Sequence, residues 1–315
     1  MLRNGRKHAQ IVEHIHFFTI AICAMKMRIF SRLSRIRQWR KVALRTGVQN
    51  FEEITAMDFD LKDKPALILA GTRGLGLACA HALVAEGARV VINGRNSERG
   101  QAALQGLGKR AVFITADITN KDDRARLHQL TVDAIGSPTI LVTNGAGPTA
   151  DLFLDTPLQA WDEAFGLMLT PAIDMALRCV PAMLDQGWGR VINLSSISGK
   201  EISLLGSRAN SLRPALVGAF GTLAREVAAT GVTVNSILSG PYDTPGMRKV
   251  VRQHSGRTDL SEDEAVAAYA AHGPMKRLGD TSELGALCAF LASAPAGYIT
   301  GQAITIDGGR VPTIY

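Results

Sequence analysis

Three glycines, Gly71, Gly74 and Gly76, fall within six residues, directly after the short apolar stretch 66–70. Glycines at this spacing let a backbone turn close against a phosphate. The alanine- and leucine-rich run from Leu77 to Leu83 that follows predicts a helix, whose first N–H groups and positive dipole end favour an anion. Thr72, Arg73 and Leu75 complete the loop, and the chemistry it implies is holding the pyrophosphate of a dinucleotide. The plainer alternative is a tight strand–helix turn with no ligand. Which dinucleotide depends on the next strand, Arg89 to Asn96. In a dinucleotide fold an acid at that strand's end bonds the ribose 2′-OH of NAD, whereas an arginine accepts a 2′-phosphate. This segment carries no acid. Arg95 follows the strand and Arg73 sits in the loop, so two forked, charge-assisted donors favour NADP(H).

The elements that must position these residues begin at residue 65. Short Val-, Ile- and Leu-rich runs at 66–70, 89–93, 111–115, 139–143, 190–194, 232–237 and 302–306 predict strands. Helical stretches near 75–86, 96–107, 121–135, 158–187, 208–229 and 281–293 separate them. This alternation requires a parallel sheet covered on both faces, and right-handed crossovers wind it twice. The expected fold is therefore a Rossmann-type α/β domain over residues 57–315. Between the sixth strand and the last helix, Ser261-Glu262-Asp263-Glu264 has the form of a capping box. The surrounding stretch 244–280 is well placed to cover a site.

Residues 1–56 follow a different pattern. They hold 11 Lys or Arg against 3 Asp or Glu, a net of +8, while the rest of the chain is at −1. The excess charge is thus confined to an N-terminal extension, and nucleic-acid binding by the folded body loses its main support. The apolar run 15–25 is shorter than the roughly 20 residues a membrane span needs. Ile29, Leu33 and Ile36 fit one face of a basic surface helix. A misassigned start upstream of Met57, a disordered tail and a targeting segment are the other readings. Cys23, Cys79, Cys179 and Cys288 are scattered, with no Cys-x-x-Cys. This predicts reduced thiols in the cytoplasm, and neither a disulfide framework nor a metal site.

Further motifs then fall in order. They are Ala-Asp-Ile-Thr with Asp117 and Ile118, Thr-Asn-Gly-Ala-Gly with Asn144 and Gly145, Val191 to Ser196, Gly240 with Thr244 four residues on, and Tyr298 to Gly309. Together they resemble the short-chain dehydrogenase/reductase family over residues 62–312, and within it the 3-oxoacyl-carrier-protein reductases. The resemblance implies that Asp117 bonds the adenine, Asn144 steadies the central sheet, and Gly240 and Thr244 flank the nicotinamide. It makes Ser196 the catalytic serine. It further implies a homodimer or homotetramer built on helices 158–187 and 208–229.

The departures from that pattern carry chemistry of their own. The family's tyrosine and lysine positions hold Ala209 and Arg213, the helix asparagine falls on Met168, Ala70 replaces the first loop glycine, and Ser239 replaces a proline. In the family mechanism the tyrosine gives a proton to the carbonyl oxygen as hydride reaches its carbon. Alanine gives none. Arg213 can hold the ribose but stays protonated and is a poor acid. Tyr242, in the turn after the sixth strand, is the candidate substitute. Lys200, Glu201, Ser207 and Ser211 are weaker ones. Three functions stay open: an NADP-dependent reductase or dehydrogenase of small carbonyl or alcohol substrates, a non-catalytic NADP-binding paralogue, and a lyase or isomerase on the same fold.

Overall fold

The computed structural model describes residues 58–255 and 260–312. The basic extension 1–56, Cys23 and the candidate surface helix lie outside the described residues.

Seven strands form one parallel sheet: β1 (Pro65–Ile68), β2 (Arg89–Gly94), β3 (Ala111–Thr115), β4 (Ile140–Thr143), β5 (Gly189–Ser196), β6 (Val232–Ser239) and β7 (Ala303–Ile306). Their order across the sheet is β3-β2-β1-β4-β5-β6-β7. Side chains alternate along each strand, so consecutive residues enter opposite cores. Leu67, Leu141 and Val191 pack under α3 (Lys121–Ile135), α4 (Leu158–Gln186) and α5 (Ser207–Val227). Ile68, Val142 and Ile192 pack under α1 (Gly74–Ala85), α2 (Ser97–Leu107) and α8 (Thr281–Ala292). Burial on both faces is why the strands read as continuous apolar runs.

Two further helices, α6 (Pro245–Ser255) and α7 (Glu262–Ala271), occupy the stretch between β6 and α8. The capping box at Ser261 is formed in both directions: its hydroxyl accepts from the Glu264 N–H, and its own N–H donates to the Glu264 carboxylate at 2.9 Å. The first strand is shorter than the sequence suggests. β1 ends at Ile68, and Ala70 already turns with φ +48°.

The long α4 passes the length and hydropathy test for a membrane span, yet half of that window is buried in the protein. Its apolar content serves the sheet. Cys79, Cys179 and Cys288 are free and buried.

Candidate functional site

β1 and β4 are neighbours although two strands, β2 and β3, lie between them in chain order, so the crossovers leave from β1 and β4 toward opposite edges. At such a switch point a cleft opens beyond the strands' carboxyl ends. The glycine turn follows β1 on one side of it, and residues 144–147 follow β4 on the other.

The turn is tightly specified. Gly74 has φ +55°, which an L side chain rarely adopts. A Cβ on Gly76 would stand 2.8 Å from the Ala70 carbonyl oxygen and 2.7 Å from Asn144 Nδ2. Asn144 donates from Nδ2 to that same carbonyl at 3.3 Å, so the two turns are tied across the switch point. Ala70 donates its N–H to Asn93 Oδ1 at 2.9 Å, and Asn93 donates onward to the Ala116 carbonyl. The loop after β6 reaches in as well. The Thr244 methyl lies 3.6 Å from where a Gly74 Cβ would stand, and its hydroxyl caps α6 by accepting from the Met247 N–H. Gly240 packs on Asp307, where a Cβ would come within 2.6 Å of the Asp307 Cα.

Arg73 is exposed at the cap of α1, and Thr72 packs against Gly94 at the end of β2. The glycine loop is therefore seated beside Arg95. The Arg95 guanidinium lies 3.7 Å from the Asp117 carboxylate. Burial acts to raise the Asp117 pKa, but the Thr119 N–H and hydroxyl and the Arg95 charge together hold it below the ordinary carboxylate range. Asp117 is thus fixed as an ionised acceptor.

On the other flank, Ser196 ends β5 opposite Ser239 of β6. Its hydroxyl accepts from the Ser198 N–H at 3.3 Å and lies 3.4 Å from the Ser198 hydroxyl. Ala209 and Arg213 are one helical turn apart on α5, so their side chains share a face. Arg213 donates to the Leu194 carbonyl at 3.5 Å and lines a cleft with Ile118, Asn144, Gly145, Met168 and Asn193. Burial lowers its pKa to about 10, which still leaves it charged at neutral pH. Met168 brings an apolar thioether into that cleft. One turn later Pro171, also in the wall, has no N–H to give to the Leu167 carbonyl. That oxygen lies 3.8 Å from where a Gly145 Cβ would stand.

The structure brings Ile118, Asn144, Gly145 and Arg213 into one cleft, and joins Thr244 to the glycine turn. It sets Tyr242 apart. Tyr242 is buried, donates from its hydroxyl to the Ile306 carbonyl at 3.3 Å, and lines a separate pocket with Arg277, Glu283 and Asp307. Burial, then the Glu283 and Asp307 charges, push its pKa up, against a smaller pull from Arg277. Such a phenol packs a loop, with burial and the two carboxylates outweighing the pull of Arg277. Ser207 donates to Asp151, Ser211 donates to the Ser207 carbonyl, and Lys200 and Glu201 are exposed.

Two features were beyond reach of the sequence. One is the proline-freed carbonyl of Leu167. The other is Arg208, buried at 8% exposure, which pairs with Asp151 at 2.6 Å and donates to Thr149 and to the Ala160 carbonyl.

The sheet order and the turn at its switch point define a Rossmann-type α/β protein. A family model described as enoyl-(acyl carrier protein) reductase matches residues 69–310, and the chain belongs to the short-chain dehydrogenase/reductase family of oxidoreductases. It is 30% identical over 252 residues to D-beta-hydroxybutyrate dehydrogenase of Rhizobium meliloti, covering 78% of this chain and 98% of that one. It is 32% identical to the 3-oxoacyl-[acyl-carrier-protein] reductase FabG of Vibrio harveyi, covering 79% and 98%. Among solved structures it is similar to L-sorbose reductase from Gluconobacter frateurii complexed with NADPH and L-sorbose. That match has a TM-score of 0.78 and 27% identity, over 82% of this chain and all of that one. It is also similar to an actinorhodin polyketide ketoreductase with NADPH, at TM-score 0.75 and 28% identity, over 78% and 96% of the two chains.

Proposed function

We propose that this protein is an NADP(H)-dependent oxidoreductase of small carbonyl or alcohol compounds whose proton delivery departs from the family's. The observation that carries the reading is that the turns after β1 and β4 are tied to each other across the switch point, with Gly76 and Gly240 where a Cβ would strike backbone. The residues fit the cofactor. Gly71, Thr72, Gly74, Leu75 and Gly76 would cradle the pyrophosphate against the α1 N-terminus. Arg73 and Arg95 would grip the 2′-phosphate, Asp117 and Ile118 the adenine side, and Gly240 and Thr244 the nicotinamide end. When bound, NADPH supplies the hydride.

The chain's own residues do the rest. Arg213 bonds the ribose and adds positive potential beside the reacting oxygen. Ser196, its hydroxyl free to turn from Ser198, donates to the substrate carbonyl. Ala209 offers no proton, so the alkoxide takes one from solvent. A positioned general acid is worth about 10²–10⁴ in rate, so turnover should be slow by that margin.

Ala209 is also the specific observation that favours the second reading, an NADP-binding paralogue without turnover. The exposed Leu177 and Phe165 on the outer face of α4 support a homo-oligomer through that helix. The three free thiols among the described residues suit a reducing, cytoplasmic setting. A chain beginning at Met57 should bind the cofactor as the full chain does.

Titration of the full chain with NADPH and NADH is the test, followed by a carbonyl panel with and without Ser196→Ala. Tighter NADPH binding, with slow turnover that Ser196→Ala abolishes, supports the enzyme. NADPH binding without turnover sinks it in favour of the silent paralogue. Equal affinity for both nucleotides removes the phosphate role of Arg73 and Arg95.

A further inference from the structure

The loop after β3 (residues 116–120) carries Asp117 and Ile118, and helix α3 holds it with three side chains. Asp123 accepts from the Asp117 N–H at 2.7 Å. Arg126 donates to the Thr115 carbonyl at 2.8 Å and pairs with Asp123 within α3. Arg124 donates from a single nitrogen to two consecutive carbonyls, those of Ile118 and Thr119, at 2.9 and 3.1 Å. Arg124 differs from the other two in its surroundings. It is buried, at 4% exposure, and its Nε donates to the Asp174 carboxylate on α4.

Asp174 also accepts from Arg178 at 3.1 Å. Burial acts to raise its pKa, but the hydrogen bonds from the two arginines hold it below the ordinary carboxylate range. It is thus an ionised acceptor. One turn before it on α4 stands Pro171, which lines the cleft together with Ala172 and Ile118. The Arg124 guanidinium therefore reaches from the helix that walls the cleft to the backbone of a loop that also walls it. An apolar side chain would fill the same space without the cost of burying two charges. What the ion pair adds is direction. A planar fork anchored at one end fixes the carbonyls it holds at the other.

We propose that Asp174 is a positioning residue for the nucleotide: through Arg124 it fixes the loop after β3 so that Asp117 and Ile118 meet the adenine. This rests on the reading of those two residues as the adenine side of the site. Neither Asp174 nor Arg124 lines the cleft, so both act through the loop backbone.

The test uses the full chain and three ligands: NADPH, adenosine 2′,5′-bisphosphate, which lacks the nicotinamide half, and reduced nicotinamide mononucleotide, which lacks the adenine half. Asp174→Asn exchanges a charge-assisted hydrogen bond for a neutral one. It should weaken NADPH and the bisphosphate by about tenfold and leave the mononucleotide unchanged. Asp174→Glu restores the carboxylate and should return NADPH affinity to within threefold. Should Asp174→Asn fail to fold, Arg124→Lys keeps the charge beside Asp174 but loses the fork, and should give the same pattern. Hydrogen exchange without nucleotide reads the loop itself: it should quicken over 116–120 and stay unchanged over 70–76. NADPH affinity kept in Asp174→Asn overturns the inference. So does an equal loss for the mononucleotide, or exchange quickened alike in both loops, because the pair would then hold the fold and not the adenine loop. If the unaltered chain binds no NADPH, the cofactor reading falls, while quickened exchange confined to 116–120 still upholds the brace.

Discussion

The two sides of the switch-point cleft differ in how much of their chemistry is intact. On the β1–β3 side the turn proposed to hold the nucleotide is supported from behind: Asn144 and Asn93 brace it, and Thr119 fixes Asp117. On the β5–α5 side the serine and a cation remain, but the residue one turn before Arg213 is an alanine and the opposing wall presents Met168. Binding a nucleotide and moving a proton are thus separable properties of one cleft. The first depends on backbone shape, which the fold itself enforces. In the proposed reading the second depends on a single side chain, which can be lost without disturbing the sheet.

The largest expected effect comes from restoring the lost side. Ala209→Tyr combined with Arg213→Lys should raise NADPH-dependent ketone reduction by about 10²–10⁴, the usual worth of a positioned general acid. Stopped-flow or steady-state NADPH oxidation reads it directly. A gain below tenfold would show that the β5–α5 wall has diverged further than these two positions, with Met168 the next residue to change.

Removing the Asp151 carboxylate probes what holds that side in place. Asp151→Ala leaves the buried Arg208 guanidinium without its carboxylate, a change that costs on the order of 3 kcal/mol when a buried charge loses its partner. Denaturant unfolding should record most of that loss, and NADPH affinity should move little, because the nucleotide side is braced independently. A parallel loss of nucleotide binding would join the two sides that the geometry separates.

On the nucleotide side, Arg73→Ala with Arg95→Ala should cut the preference for NADPH over NADH by about 10–100-fold. This matches the loss of one or two hydrogen bonds to a charged group. Binding of NADH should be nearly unchanged. A pH titration then reports on Arg213. Burial brings Arg213 down to about 10, so its charge is present below that pH and lost as pH rises through it. NADPH affinity should therefore hold from neutral pH to about 9 and weaken near 10, and Arg213→Gln should remove that step.

The strands and helices were legible because burial on both faces leaves runs of Val, Ile and Leu punctuated by glycine. Helix α3, for example, has the bounds that the sequence suggests. The glycine turn was legible because its spacing is local, whereas Asn144 and Asp117 were singled out by what the family resemblance implies. The Asp151–Arg208 pair was not, since its members lie on different loops and only the fold brings them together. Nor was the setting of Tyr242. A tyrosine in a turn after β6 reads the same whether it faces the cleft or, as here, packs onto the Ile306 carbonyl. The alanine at residue 209 was visible, but its consequence is a rate, which neither the chain's pattern nor its packing contains.

The smallest effect is expected at Ala70, where the intact side departs from the family's glycine. Its φ of +48° is unfavourable for alanine by roughly 1 kcal/mol, and glycine would remove that strain. Glycine also gives the unfolded chain more freedom, which offsets about 0.4–1 kcal/mol of the gain. The two terms nearly cancel, so Ala70→Gly should shift stability by under 1 kcal/mol. The braces at Ala70 act through its backbone N–H and carbonyl, to Asn93 and Asn144, and a change of side chain leaves both in place. NADPH affinity should accordingly change less than threefold. If thermal unfolding and titration instead showed a large loss on Ala70→Gly, the methyl group itself would be holding the turn. The nucleotide side would then depend, as the catalytic side does, on one side chain.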